Sequence, residues 1–157
     1  MTRSQGAFRS QQTFSSEVSP NVNAIWFADN AQVGALSTFV IDFQNLSQTL
    51  FGTQVPVNFE SICAIYVRNR STSLTLSIEN GTVLDPGTTQ PPHLPITLIP
   101  PRVQVPPGGV FCVTNPNASW SVSVVPCTIG LRNYHSSSIP FDVVITGRKT
   151  TSENQES

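Results

Sequence analysis

The chain has 157 residues, of which 38% are hydrophobic and only 11% charged, with a formal net charge of -1. That length fits one domain around a single core, and so small a charge gives no basic field to hold a polyanion, which excludes specific nucleic acid as a partner. No stretch approaches the roughly 18 consecutive apolar residues of a membrane-spanning helix, and no basic-then-apolar leader opens the chain, so neither a membrane partner nor export is expected.

Thirteen prolines and nine glycines argue against long helices, because an interior proline costs about 3 kcal/mol and a glycine about 1. Val, Ile, Thr, Phe and Ser dominate, and Lys149 is the one lysine, a composition that favours strands. The expected fold is all-β: an antiparallel β-sandwich with an extended polar N-terminal arm, its strand order either jelly-roll or immunoglobulin-like. Three segments follow: the arm at 1–24, the sandwich domain at 25–149 and a polar C-terminal tail at 150–157.

In chain order, residues 1–24 carry Gln, Ser and Asn with isolated Phe8, Phe14 and Val18 and no regular period, as an arm docking its phenylalanines on a neighbouring surface would. Thr38 to Phe43 is the first clear apolar run, and residues 45–51 are the one place with room for helical turns. Ser61 to Arg68 is apolar on both faces, which predicts a central strand covered on each side. The short link Asn69-Arg70-Ser71 predicts a hairpin into Thr72 to Glu79, where Leu74, Leu76 and Ile78 alternate inward with Ser73, Thr75 and Ser77 outward. Asn80-Gly81, Asp85-Pro86-Gly87, Pro91, Pro92 and Pro95 make a long loop. Ile96 to Ile99 and Arg102 to Val105 read as edge strands. Pro106-Pro107-Gly108-Gly109 reads as a turn needing positive φ rather than a phosphate cradle.

Val110 to Thr114 resumes pairing, and Ser119 to Val125 sets Trp120, Val122 and Val124 on one face. Cys127 to Leu131 places Cys127, Ile129 and Leu131 on one face. Ile139 to Thr146 does so with Ile139, Phe141, Val143 and Ile145, closing the core. Many short, mostly alternating strands imply two packed sheets, with loops such as Asp85 to Pro95 and Asn115 to Ser119 at the ends, free to touch partners.

Chemistry-bearing residues are sparse. Cys63, Cys112 and Cys127 form no CxxC pair and read as small buried apolar side chains of a reducing compartment, with a Cys112 to Cys127 disulfide as the alternative. The two histidines, His93 and His135, sit in Pro-rich and Ser-rich loops and read as solvent-facing. A Ser-His-Asp arrangement with Asp142 is arithmetically available, but no GxSxG fixes a nucleophile. Asp29, Asp42, Asp85, Asp142, Glu17, Glu60 and Glu79 are too dispersed for paired-carboxylate or calcium-loop chemistry. No catalytic, cofactor-binding or metal-binding residue is expected, no cofactor, and no enzyme activity. Arg68 and Arg70 beside Tyr66, with Arg132, Arg148 and Lys149, read as solvated strand ends. Trp26 and Tyr134 are candidates for stacking on a sugar ring, Trp26 the more exposed, whereas Trp120 alternates with core valines. Sequons at Asn45, Asn69, Asn80 and Asn117 read as coincidences of a Ser/Asn-rich surface.

The order of these segments resembles a loose class of small bacteriophage virion proteins. The residues that carry the resemblance are Val57-Asn58-Phe59-Glu60-Ser61-Ile62, then Ala64 to Leu76 with its Arg68-Asn69-Arg70-Ser71, Val105 to Phe111 around Pro107-Gly108-Gly109, and Phe141 to Gly147. The resemblance covers about residues 38–147 and leaves out the arm. It implies a structural component of the particle, as capsid, decoration, spike or tail protein, located in the virion after assembly in the host cytoplasm. Its partners are then further copies of itself in a symmetric homo-oligomer and other virion proteins. The alternative is a receptor- or carbohydrate-binding β-sandwich module that engages a glycan on the host surface.

Overall fold

The computed structural model describes residues 22–80, 102–115, 119–122 and 128–149. His93, Cys127, the Asp85 to Pro95 loop, the strand expected at Ile96 to Ile99, the tail at 150–157 and all but the last three residues of the arm lie outside them. The described residues form eleven strands and no helix: β1 (Ala24–Val33), β2 (Thr38–Asp42), β3 (Leu46–Leu50), β4 (Thr53–Val57), β5 (Ser61–Asn69), β6 (Leu76–Asn80), β7 (Arg102–Val105), β8 (Val110–Thr114), β9 (Trp120–Ser121), β10 (Thr128–Arg132) and β11 (Ile139–Arg148).

The protein is all-β, with three antiparallel sheets. The first has the order β1-β11-β5-β8, with β9 also pairing β5; the second runs β2-β10-β6-β7; the third is the hairpin β3-β4. Period-two alternation explains how the first two share a core. Ile139, Phe141, Val143 and Ile145 of β11 are all fully buried, as are Ile65 and Val67 of β5, Leu76 and Ile78 of β6, and Ile129 and Leu131 of β10, all in one apolar cluster. Each such side chain contributes about 1.5–3 kcal/mol relative to exposure. A direct contact between the two sheets is the edge-to-face pair of Phe39 on β2 and Phe141 on β11, with ring centroids 5.1 Å apart.

Four expectations are corrected. Within residues 45–51 the segment Leu46–Leu50 forms a strand, not helical turns: β3 pairs β4 in register from Leu46 opposite Val57 to Leu50 opposite Thr53. The link after Asn69 is no hairpin, because β5 lies in the first sheet and β6 in the second. Chain direction reverses while crossing the core. Ser77, expected outward in solvent, is only 2% exposed. The β5 strand is central, but its outward residues are half-buried Ala64 and Tyr66 and exposed Arg68 rather than covered.

The crossing at 70–75 is built by one side chain. Asn69 is fully buried. Its Oδ1 accepts the Ser71 N–H at 2.9 Å, an Asx turn, while its Nδ2 donates to the carbonyls of Leu74 at 2.7 Å, Val105 at 3.0 Å and Pro106 at 3.2 Å. Asn133, also fully buried, repeats the device after β10. It accepts the His135 N–H at 2.8 Å and donates to Ser137 O at 2.7 Å, Gly34 O at 2.9 Å and Val33 O at 3.4 Å. Together they join the turns β1-β2, β5-β6, β7-β8 and β10-β11 at one end of the sheets. The β7-β8 turn has the expected positive φ, 70° at Gly108, with Gly109 N–H donating to Pro106 O at 2.9 Å.

The β3-β4 hairpin sits at the opposite end, beside the β1 edge. Leu46 and Val57 root it in the core. The Trp26 indole N–H donates to Ser47 O at 3.0 Å, and the Phe27 N–H to Gln48 Oε1 at 3.1 Å. Its two-residue loop, Phe51-Gly52, has φ of 50° and 81°, the pair of positive values a type I′ turn requires. A left-handed backbone costs a non-glycine residue about 1–2 kcal/mol, yet the position is held by a phenylalanine with 107% of its reference surface exposed.

Candidate interaction surface

Strand register lays out the outer face of the first sheet. Phe27 stands opposite Val144, Val144 opposite Tyr66, and Tyr66 opposite Cys112, so one row crosses all four strands. A second row runs Ile25, Thr146, Ala64, Thr114, and a third sets Asp142 against Arg68 and Arg68 against Val110. Ile25 is 54% exposed, Phe27 43% and Val110 53%. Ile25 and Phe27 lie together on the β1 edge and Val110 on the β8 edge, with half-buried Thr146, Val144, Ala64 and Tyr66 between the two edges. The first two rows carry no charged side chain.

Beyond the third row Arg70 bridges two carboxylates, 3.4 Å from Asp29 and 3.2 Å from Asp142. A bulge in β1 between Ala28 and Ala31 brings the Asn30 N–H to 2.8 Å from Asp142. Burial opposes the charged form of Asp142, but the Asn30 N–H, the Arg70 guanidinium and Asp29 outweigh it and hold the carboxyl below its ordinary value. Arg70 is therefore an exposed cation at the end of β5 that is also paired. Asp142 is thus engaged by Arg70 and Asn30, while the half-buried His135 bonds through its backbone to Asn133 and Leu36.

The second sheet carries a polar cluster around Tyr134. The Tyr134 hydroxyl donates to the Glu79 carboxylate and accepts from Arg102 at 2.6 Å. Arg102 also pairs with Glu79 at 3.3 Å. The guanidinium of Arg102 lies 4.8 Å, and that of Arg132 5.3 Å, from the ring centroid. Arg132 in turn donates to Thr38 Oγ1 at 2.8 Å. The hydrogen bond to Glu79, followed by burial and the Glu79 charge, pushes the Tyr134 phenol up against the opposing pull of Arg102 and Arg132.

This arrangement bears on sugar binding. Stacking needs a free ring face, and the guanidiniums already lie against Tyr134. Trp26, expected to be the exposed candidate, is 7% exposed, its indole nitrogen committed to the β3 backbone. Trp120 is buried, as expected from its alternation with core valines.

The remaining candidates are dispersed. Arg148 donates to Ser119 Oγ at 3.0 Å. The Lys149 N–H donates to Asn23 Oδ1 at 2.8 Å, and Lys149 borders a shallow depression with Pro56, Asn58, Phe59 and Glu60. Cys63 is buried as expected, and burial pushes its thiol up against the pull of Arg148. Cys112 departs from expectation: it is a free, exposed thiol, because its register opposite Tyr66 points it outward. Among the described residues no group of three His, Cys, Asp or Glu side chains is placed to hold a metal ion. The buried Asn69 and Asn133 are the residues that sequence reasoning overlooked. The signal was there, in the paired Arg-Asn steps ahead of two serine-rich loops.

No family model matches the chain, and no curated protein matches it. Among solved structures it is similar to a de novo designed double-stranded beta-helix, solved in solution by NMR, with 14% identity and a TM-score of 0.37 over 77% of this chain and 96% of that one. A likeness of that size carries no argument about function.

Proposed function

We propose that this chain is a non-enzymatic structural protein of a virus particle of the phage type, whose copies bind one another and neighbouring capsid or tail subunits in the virion. The observation that carries the reading is the pair of uncharged, partly apolar rows, Phe27 to Cys112 and Ile25 to Thr114, on the outer face of β1, β11, β5 and β8. A surface with few charges sets little like-charge repulsion against close packing of identical copies, and the exposed apolar row supplies the attraction.

The strand order supports the same reading. Pairing is nested: β1 with β11, β2 with β10, β5 with β8 and β6 with β7. One long antiparallel hairpin wound into two sheets produces this order, the jelly-roll arrangement used by viral capsid and lectin domains. In the immunoglobulin-like order the first strand neighbours the second, so we take the sandwich to be a jelly roll.

The test is sedimentation of the purified chain over a wide concentration range, with electron micrographs of the heaviest species. Mass that grows with concentration into regular particles is the expected result. A monomer at every concentration overturns the reading.

A further inference from the structure

We propose that the Leu50-Phe51 tip of the β3-β4 hairpin is an anchor that seats on the outer face of the first sheet of a second copy, with Phe51 on the row Phe27, Val144, Tyr66, Cys112. This rests on the assembly reading and names its contact.

Three observations converge on the tip. Phe51 is fully exposed and Leu50 is 45% exposed, so an aromatic and an aliphatic side chain are both in water. Phe51 also holds a left-handed backbone that asparagine fills far more readily in a type I′ turn. An apolar residue kept where local energetics favour a polar one points to a role outside the folded chain. Finally, the Trp26 to Ser47 and Phe27 to Gln48 hydrogen bonds fix the hairpin to β1, so the anchor is rigid before it binds and loses little freedom on docking.

The lack of charge on both surfaces favours a second copy as the occupant. Residues 43–59 contain no charged side chain, and neither do the rows Phe27 to Cys112 and Ile25 to Thr114, so the contact strips water from no ion on either side. An aromatic buries about 150–250 Å², far less than the roughly 1,200–2,000 Å² of a stable interface. One tip in one face is therefore weak and gains strength by repetition. Tip and receiving face are different surfaces of the same chain, so the contact joins copies either reciprocally about a two-fold axis or head-to-tail in series.

Phe51→Asn separates anchoring from folding, since Asn-Gly is the preferred type I′ pair. The variant is expected to melt at or above the wild-type temperature while its self-association weakens about 10- to 100-fold. Association equal to wild type overturns the anchor while leaving the assembly reading in place. A wild-type chain that never associates overturns both. Loss of binding to neutral phosphatidylcholine vesicles with association unchanged also overturns it, in favour of a lipid surface. The receiving face is tested by Phe51→Cys: mild oxidation is expected to give disulfide-linked oligomers through Cys112, absent when Cys112→Ser is added. Equal cross-linking in that double variant overturns the assigned face.

Discussion

The two ends of the sheets are held by different means. At one end the turns 34–37, 70–75, 106–109 and 133–138 are short, and two buried asparagines, Asn69 and Asn133, knit them together through side-chain bonds to main-chain carbonyls. At the other, the long connection from β2 to β5 carries a hairpin, and cohesion comes from Phe43, Phe59 and Trp120 in the apolar cluster with scattered main-chain bonds such as Val122 N–H to Glu60 O at 2.8 Å. Polar knots specify one geometry and tolerate no trimming, whereas apolar packing tolerates an appended element. The end with the appended hairpin is also the end that presents a strained, exposed phenylalanine.

Breaking the knots is expected to have the largest effect. Asn69→Ala leaves three carbonyls and one N–H in the interior without their partner and is expected to cost about 3 kcal/mol, read as a lower urea midpoint at constant slope. Asn133→Ala is expected to cost slightly less, about 2–3 kcal/mol, because its bond to Val33 is long at 3.4 Å. On the hairpin side, Trp26→Phe keeps the apolar bulk but removes the indole bond to Ser47, an expected loss of about 1 kcal/mol, with faster amide exchange confined to β3 and β4.

The smallest effect is electrostatic and belongs to the knotted end. The Asp142 carboxyl is held below its ordinary value of about 4, so its contribution is present above that pH and lost as the pH falls through the folded-state value. Asp142→Asn is expected to lower stability slightly at neutral pH and leave it unchanged well below about pH 4, so that the acid limb of a stability-against-pH curve flattens. An unaltered acid limb would assign the acid sensitivity elsewhere.

How much of this was legible in the sequence follows the physics of each element. β6, β10 and β11 announce themselves because one face is apolar and the other polar. β1 does not: Ile25 and Phe27 are apolar yet point outward, and the bulge between Ala28 and Ala31 interrupts the register. β3 is mostly polar, so its strand character comes from pairing with β4 rather than from its own pattern. The outer row from Phe27 to Cys112 joins residues far apart in the chain, and only register brings them together. Asn69 matched a sequon, and its burial was invisible until the crossing it ties had a shape. The glycine turn at 108, by contrast, needs only local backbone geometry and was fully readable.

Nested pairing has a consequence for synthesis. β11 lies between β1 and β5, and the bulge beside its ladder to β1 joins the Asn30 N–H to the Asp142 carboxylate, 112 residues apart. The first sheet therefore has no centre until Ile139 to Arg148 has left the ribosome, and until then β1 and β5 wait with unsatisfied edges that invite pairing with another nascent chain. Such distant closure places folding in the slow range of about milliseconds to seconds. A chain stalled ahead of residue 139 already holds every strand of the second sheet but leaves β1 without its ladder and one border of β5 open, a species for a chaperone to hold.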